Sequence, residues 1–306
     1  MQRSRWKQYT LDQSPFYCLK SKERLAKLLY ISQRKLEVLA HSEDLYMEKD
    51  RFNPKKGKTF HVEEPRLPLK RVQKRIEEIL KRVKMPNYIH APGKGRSYIS
   101  NARAHINVAV VRSLDIKQYF PSSQSWRVYS FFYKQMRCSS DVAGILTRLC
   151  TFKKHLPTGS PSSPVLSYFA HINMWEAINE LVEGAGCTLT VYMDDVTISG
   201  SSVPGELIWQ IKNEFYRCGL RDSRKKEKHY VGNKPREITG VIVKDGELKL
   251  PNSQHKKMHD CRQAIQLETD PAKLAHLMQS LKGLKSQAQQ IRKANEIHVD
   301  NGCNDL

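Results

Sequence analysis

Asp194 and Asp195 stand side by side between two apolar, β-prone segments, an unfavourable place for two negative charges. Alternation through Thr188-Leu189-Thr190-Val191 and again through Val196-Thr197-Ile198-Ser199 predicts two short strands, with the acidic pair at a tight connection. Carboxylates this close repel, and each raises the other's pKa unless a cation compensates. A divalent metal is the simplest compensation. Taken alone, an Asp-Asp pair more often marks an ordinary turn, because Asp tolerates turn geometry and bonds its own backbone. A third carboxylate shifts that balance: Asp115 ends the β-rich run Val108 to Leu114. Three carboxylates meeting at one sheet edge make an oxygen-rich site suited to Mg²⁺. Two such ions ~3.5–4 Å apart stabilise both the attacking hydroxyl and the leaving pyrophosphate of an in-line displacement, which is polymerase chemistry.

The elements that must position these groups are legible in outline. Leu25, Leu28, Leu29, Leu36 and Leu39 suggest one or two short N-terminal helices, and the basic stretch Asp50 to Lys58 reads as an exposed turn. Val72, Ile76, Ile79, Leu80 and Val83 form the apolar face of a helix over roughly 68–84, whose other face is almost uniformly basic. That basic face is either solvated or turned towards phosphates. Pro92 to Arg96 reads as a flexible basic loop leading to Asn101-Ala102-Arg103-Ala104-His105. Leu156 to Pro164 is a loop stiffened at its ends by proline and permissive at Gly159, opening into a helix over about 165–182. Leu207, Ile211 and Phe215 mark another helix, Ile238 to Val243 a strand, and Leu274, Leu277, Leu281, Leu284 and Ile291 a helical tail.

Composition narrows the class. The 306 residues carry 52 Lys and Arg against 31 Asp and Glu, a net charge of +21 that implies a polyanionic partner, most simply nucleic acid. Seven cysteines without a C-x-x-C pair argue for reduced thiols, and against zinc or a disulfide framework. No run approaches the ~20 apolar residues of a spanning helix, and the N-terminus lacks the apolar core of a signal peptide. A cytoplasmic protein with no membrane partner is expected.

Three segments carry a family resemblance. Leu114 to Ser122 (LDIKQYFPS), Leu156 to Pro164 (LPTGSPSSP) and Tyr192-Met193-Asp194-Asp195, in this order and spacing, resemble the palm motifs of reverse transcriptases across roughly residues 50 to 245. Within that family the chain is most similar to bacterial retron enzymes. Asn101-Ala102-Arg103-Ala104-His105 looks like their Asn-Ala-x-x-His element, and Ile238-Thr239-Gly240 like their Val-Thr-Gly element, which in that family lies close to structured RNA. The resemblance implies an α+β right-hand polymerase fold. Residues 1–107 would be N-terminal helices and fingers. Residues 108–245 would be a palm, an antiparallel sheet flanked by helices, with inserted fingers elements at about 121–155; residues 246–306 would be a short helical thumb. The stretch after Gly240 suffices for a thumb but not for a nuclease domain as well.

The same resemblance implies roles. Asp115, Asp194 and Asp195 would hold two Mg²⁺ ions. The backbone from Ile116 to Phe120 would face the dNTP, with Phe120 as an aromatic gate against a 2′-hydroxyl; a core aromatic is the plainer account of that ring, and both can hold. Gly159 and Ser160 would approach the templating base pair, and Lys226, with Lys225 as rival, would donate a proton to pyrophosphate. Asn101, His105, Thr239 and Gly240 would form an RNA-binding set, Asn101 and His105 sharing a helix face if their segment is helical. Thr158 stands where the family usually has glutamine, and Met193 where retron enzymes commonly have alanine. Phe60 stands where the fingers normally supply an arginine to the triphosphate, leaving Lys58 or Arg96 to substitute. The implied function is copying part of a cognate structured non-coding RNA into branched, RNA-linked DNA, in antiphage defence with an effector protein. A group II intron-like or diversity-generating reverse transcriptase, or an RNA-holding scaffold that restrains a toxin, are the other readings.

Overall fold

The computed structural model describes residues 7–53 and 57–302. Helices α1 (Lys22–Leu28) and α2 (Gln33–His41) begin at Ser21 and Ser32, whose hydroxyls accept the backbone N–H groups of Arg24 and Lys35. Strands β1 (Tyr46–Asn53) and β2 (Lys58–Pro65) then form an antiparallel hairpin in register from Tyr46 with Pro65 to Asn53 with Lys58. Of the expected exposed turn over Asp50 to Lys58, residues 50–53 and 58 are strand and Gly57 is a turn, while residues 54–56 lie outside the described residues. Its charged residues alternate with Phe52 and Phe60 on a ladder exposed on both faces, so no apolar run signals it. Helix α3 (Leu67–Leu80) buries Leu69, Val72, Ile76, Ile79 and Leu80, as the periodicity predicts.

Next come β3 (Ile89–Ala91), α4 (Tyr98–Arg103) and β4 (Val110–Asp115). A helical stretch follows: α5 (Tyr119–Ser122), α6 (Ser125–Ser130), a π-turn over Phe131–Gln135 and α7 (Ser140–Cys150). The helix expected over 165–182 is two, α8 (Ser163–Phe169) and α9 (Ile172–Gly184). They part at His171, whose φ of −122° and ψ of 22° leave helical geometry. Then follow β5 (Thr188–Tyr192), β6 (Asp195–Gly200), α10 (Gly205–Arg217), a 3₁₀ turn at Arg224–Lys226 and β7 (Lys228–Val231). The strand expected over 238–243 is also two, β8 (Arg236–Ile238) and β9 (Val241–Lys244), completed by β10 (Glu247–Lys249). Thr239 and Gly240, at φ of 45° and 77°, make the tight turn between β8 and β9. Helices α11 (Asn252–Leu267) and α12 (Pro271–Gly302) close the chain.

The architecture is α+β. A five-stranded sheet of order β3-β5-β6-β4-β7 is antiparallel except for the parallel pair β3 and β5. Period-two alternation gives its central strands two unlike faces. Leu114, Leu189, Val191, Val196 and Ile198 point into the main core with α3 and α7 to α10. The other face carries Asp115, Thr190, Asp195, Thr197 and Ser199. It is covered by α4 and the three-stranded sheet β10-β9-β8, through a smaller core of Ile99, Ala102, Val111, Val241, Leu248 and Ile291. Helix α12 docks on that smaller core with Ile291. One turn on, Asn295 accepts from the Leu248 N–H (3.1 Å) and donates to the Leu248 carbonyl (2.9 Å). The sheet that carries the carboxylates draws β3 from upstream of residue 108, and the β9–β10 hairpin straddles residue 245. The six described cysteines are free thiols; Cys303 lies outside the described residues. Among the described residues no helix is long and apolar enough to cross a membrane.

Candidate active site

Strand register brings the carboxylates together. Asp115 at the end of β4 pairs with Asp195 at the start of β6, and Asp195 pairs with Tyr192 across a two-residue turn made of Met193 and Asp194. Met193 sits at φ 62°, a left-handed conformation that costs a side-chain-bearing residue of order 1 kcal/mol or more. Two bonds hold the turn: the Met193 N–H to the Ala91 carbonyl (3.3 Å) and the Ile116 N–H to the Asp194 carbonyl (2.9 Å). Burial, followed by Asp194 and then Asp115, pushes the Asp195 carboxyl up to about 6. Three carboxylates at one sheet edge concentrate negative charge that a hard cation would relieve, so the donor set fits divalent ions.

Lys226 is bonded to this cluster, its ammonium 2.5 Å from Asp115 Oδ2. That bond, with further attraction from all three carboxylates, raises the lysine's pKa and keeps it protonated at neutral pH. The 3₁₀ turn that presents it is fixed to the end of β4: the Ser223 N–H donates to the Asp115 carbonyl and the Lys117 N–H to the Arg221 carbonyl, both at 2.8 Å. Lys225, the rival, is exposed.

Behind the carboxylates, Ile116 is fully buried, so only its backbone faces the site. The Phe120 ring is half-buried and stacks on Tyr119 with centroids 6.0 Å apart. Tyr119 is itself fixed: its hydroxyl donates to the Ser167 carbonyl (2.8 Å) and accepts from Trp175 Nε1 (3.2 Å). Sequence reasoning missed Tyr119 and Trp175 because both read as ordinary core aromatics.

Gly159 and Ser160 each have a packing role in the fold. A Cβ on Gly159 would lie 2.5 Å from the Glu63 carbonyl oxygen, so the glycine is required by the backbone of β2. Its N–H donates to that oxygen (3.1 Å). Ser160 is buried and donates to Gln73 Oε1 (2.7 Å). Thr158, in the place of glutamine, seats the same strand: its hydroxyl donates to the His61 carbonyl and accepts from the Glu63 N–H, both at 3.1 Å. Nearby on the hairpin face, Glu48, His61 and Glu63 bring possible ligand atoms within 4.8 Å of one another, already bonded to Lys153, Asp50 and His155. Of the residues offered for the triphosphate, the Lys58 side chain lies outside the described residues. Arg96 does not extend from a flexible loop: its guanidinium bonds the carbonyls of Pro86 and Ile89 and the side chain of Asn87, and so braces that loop.

The four residues assigned to RNA separate into two roles. Asn101 Nδ2 donates to Thr239 Oγ1 (3.4 Å), and Thr239 donates to the Tyr98 carbonyl (3.0 Å), so Asn101, Thr239 and Gly240 form one corner between α4 and the β8–β9 turn. His105 does not join them. Helix α4 ends at Arg103, and His105 turns under the sheet, fully buried. Its ring nitrogens bond Ser199 Oγ and Thr190 Oγ1, both at 2.7 Å. Burial, with His90 and Arg236, pushes its pKa down to about 3, so it is a neutral strut with no surface to offer RNA.

The family pattern described as reverse transcriptase (RNA-dependent DNA polymerase) matches residues 53–243, which contain the whole carboxylate site and Lys226. The chain belongs to this family. Among curated relatives, the retron Se72 reverse transcriptase of Salmonella heidelberg is 29% identical over 241 residues, covering 75% of this chain and 63% of that protein. The retron Ec86 reverse transcriptase of Escherichia coli is 23% identical over 243 residues, 76% of this chain and 74% of that one. A foamy viral protease–reverse transcriptase solved with double-stranded DNA aligns over 80% of this chain and 36% of its own, at 15% identity and a TM-score of 0.46.

Proposed function

We propose that the chain is an RNA-directed DNA polymerase of the retron type, which copies part of its own structured non-coding RNA into DNA that stays branched on that RNA. The observation that carries the polymerase is the meeting of Asp115, Asp194, Asp195 and Lys226 at one sheet edge, with Phe120 on the turn that follows Asp115. Two Mg²⁺ ions held by the three carboxylates would activate the primer hydroxyl and neutralise the pyrophosphate. The hydroxyl oxygen, its proton passing to solvent water, bonds to the α-phosphorus of the dNTP as the bond to the pyrophosphate oxygen breaks. Lys226, held protonated, hands its proton to that leaving oxygen once its bond to Asp115 is given up. Phe120 closes the space below the sugar to a 2′-hydroxyl. Residues 1–107, 108–245 and 246–306 serve chiefly as fingers, palm and thumb, with β3 lent to the palm sheet and β10 paired back to β9, and the corner of Asn101, Thr239 and Gly240 faces the structured RNA.

Support for the retron type comes from the curated relatives and from the Asn101–Thr239 bond, which joins the two retron-like elements across 138 residues of sequence. A 2′-hydroxyl of that RNA primes the copy, and the hybrid acts in the cytoplasm with an effector in defence. Purified protein given Mg²⁺, dNTPs and the RNA encoded beside its gene should make DNA that separates from RNA only after a debranching enzyme is added. Linear product alone would overturn branched priming and spare the polymerase.

A further inference from the structure

Ser123 spends every polar group it has on the turn that carries Phe120 and on two elements beyond it. Its hydroxyl donates to the Tyr119 carbonyl (2.7 Å) and its N–H donates to the Phe120 carbonyl (2.9 Å). Those carbonyls belong to the two peptide groups on either side of the Phe120 Cα. One residue therefore pins both planes whose rotation would swing the ring. The Ser123 carbonyl accepts from the Leu156 N–H (3.0 Å), at the start of the loop that seats β2.

The remaining contact sets the direction of the hydrogens. Ser123 Oγ lies 3.1 Å from His171 Nε2, and its own proton is committed to Tyr119, so the imidazole must be the donor. His171 is buried and its Nδ1 has no partner, which leaves Nε2–H as the ring's one hydrogen-bonding task. The break between α8 and α9 falls at this residue, where a continuous helix would carry the imidazole elsewhere. Burial, with Arg127, pushes the His171 pKa down to about 3, so this donor does not titrate near neutrality.

We infer that Ser123 and His171 are positioning residues for sugar selection: the imidazole orients the serine hydroxyl, and the serine holds both peptide planes of Phe120 so that the ring is fixed before a nucleotide arrives. This rests on Phe120 being the gate, which the test separates from the inference. A ring free to rotate costs selectivity more than it costs dNTP use, because a deoxynucleotide fits either ring position and a ribonucleotide only the displaced one.

The full chain with Mg²⁺ and an RNA template annealed to a DNA primer is assayed for kcat/KM with dTTP and with UTP. Phe120→Ala should collapse the dTTP-to-UTP ratio; no change there would remove the gate and the inference with it. With the gate intact, Ser123→Ala and His171→Leu should each lower the ratio about three- to tenfold, the range of one or two lost hydrogen bonds. His171→Gln, whose amide donor lies near the Nε2 position, should restore it, as a purely structural role would not require. If the ratio in His171→Leu and Ser123→Ala stays at the wild-type value while Phe120→Ala collapses it, the positioning role is wrong. Should Ser123→Ala fail to fold, the Leu and Gln variants at His171 decide alone: equal ratios overturn the inference.

Discussion

The two ends of the β5–β6 hairpin, on the same face of the same sheet, are built on opposite principles. At the turn, Asp194 and Asp195 crowd against Asp115, with Met193 strained and one lysine as compensation. At the base, Thr190 and Ser199 share a neutral, fully buried imidazole whose two nitrogens are both satisfied. The base gives stability and does no chemistry. The turn is built the other way, storing repulsion that a cation would discharge. Few strand pairs separate the two, so the satisfied end holds the frame against which the unsatisfied end is held in place.

The comparison breaks most sharply at the carboxylates. Asp194→Asn should lower primer extension by at least about a thousandfold, as expected when a metal ligand is lost, while a gel shift shows RNA binding within about twofold. Persistent synthesis would mean the metal site is elsewhere. Lys226→Met should cost about a hundredfold or more in single-turnover rate, the usual worth of a general acid. Lys225→Met should cost little, and equal losses would show a diffuse basic loop instead of one placed donor. His105→Leu is the converse test: two buried hydroxyls lose their partner, so urea denaturation should show a loss of about 2–4 kcal/mol. The rate per folded molecule should change far less than in the Asp194 variant.

A smaller effect follows from the opposite pKa shifts of two buried histidines and of the carboxylate at the turn. His105 and His171 are pushed down to about 3, so below their ordinary value of 6.5 the unfolded chain binds protons that the folded chain refuses. Each removes about 1.4 kcal/mol of stability per pH unit between those limits. Asp195, raised to about 6, protonates first in the folded state and restores a similar amount as pH falls from 6 towards 3.8. Urea midpoints at pH 7.0, 5.5 and 4.5 should therefore decline gently in the wild type. The decline should steepen in Asp195→Asn, which loses the opposing shift, and flatten in His105→Leu. Parallel curves for all three would remove these histidines from the acid response.

The carboxylate edge was legible because alternation around Asp194 and Asp195 has one sensible reading, and the strands lie where the pattern puts them. Lys226 was legible only as one of two neighbours, since sequence does not say which side chain a 3₁₀ turn presents. The shared face of Asn101 and His105 was conditional on a helix running through both, and α4 stops at Arg103, so His105 falls under the sheet instead. The β1–β2 hairpin went unseen because its outer half, from Glu48 to His61, is exposed on both faces and so has no apolar period. Elsewhere in the chain it is matched by Thr158, which bonds β2, and by Gly159, whose missing side chain makes room for it. Ser123 and His171 left no signal at all, being small or lone polar residues whose partners lie 48 positions apart.

Asn295 carries a consequence for the molecule in company. Strand β10 is the outer strand of its sheet, and an unpaired outer strand offers its amides and carbonyls to any passing chain. The Asn295 carboxamide takes both groups of Leu248, imitating the neighbour that a further strand would supply. That makes α12 a cover for this edge as well as a structural arm. Asn295→Ala should appear as concentration-dependent self-association in sedimentation, and a monomer at all concentrations would show the edge to be protected by other means.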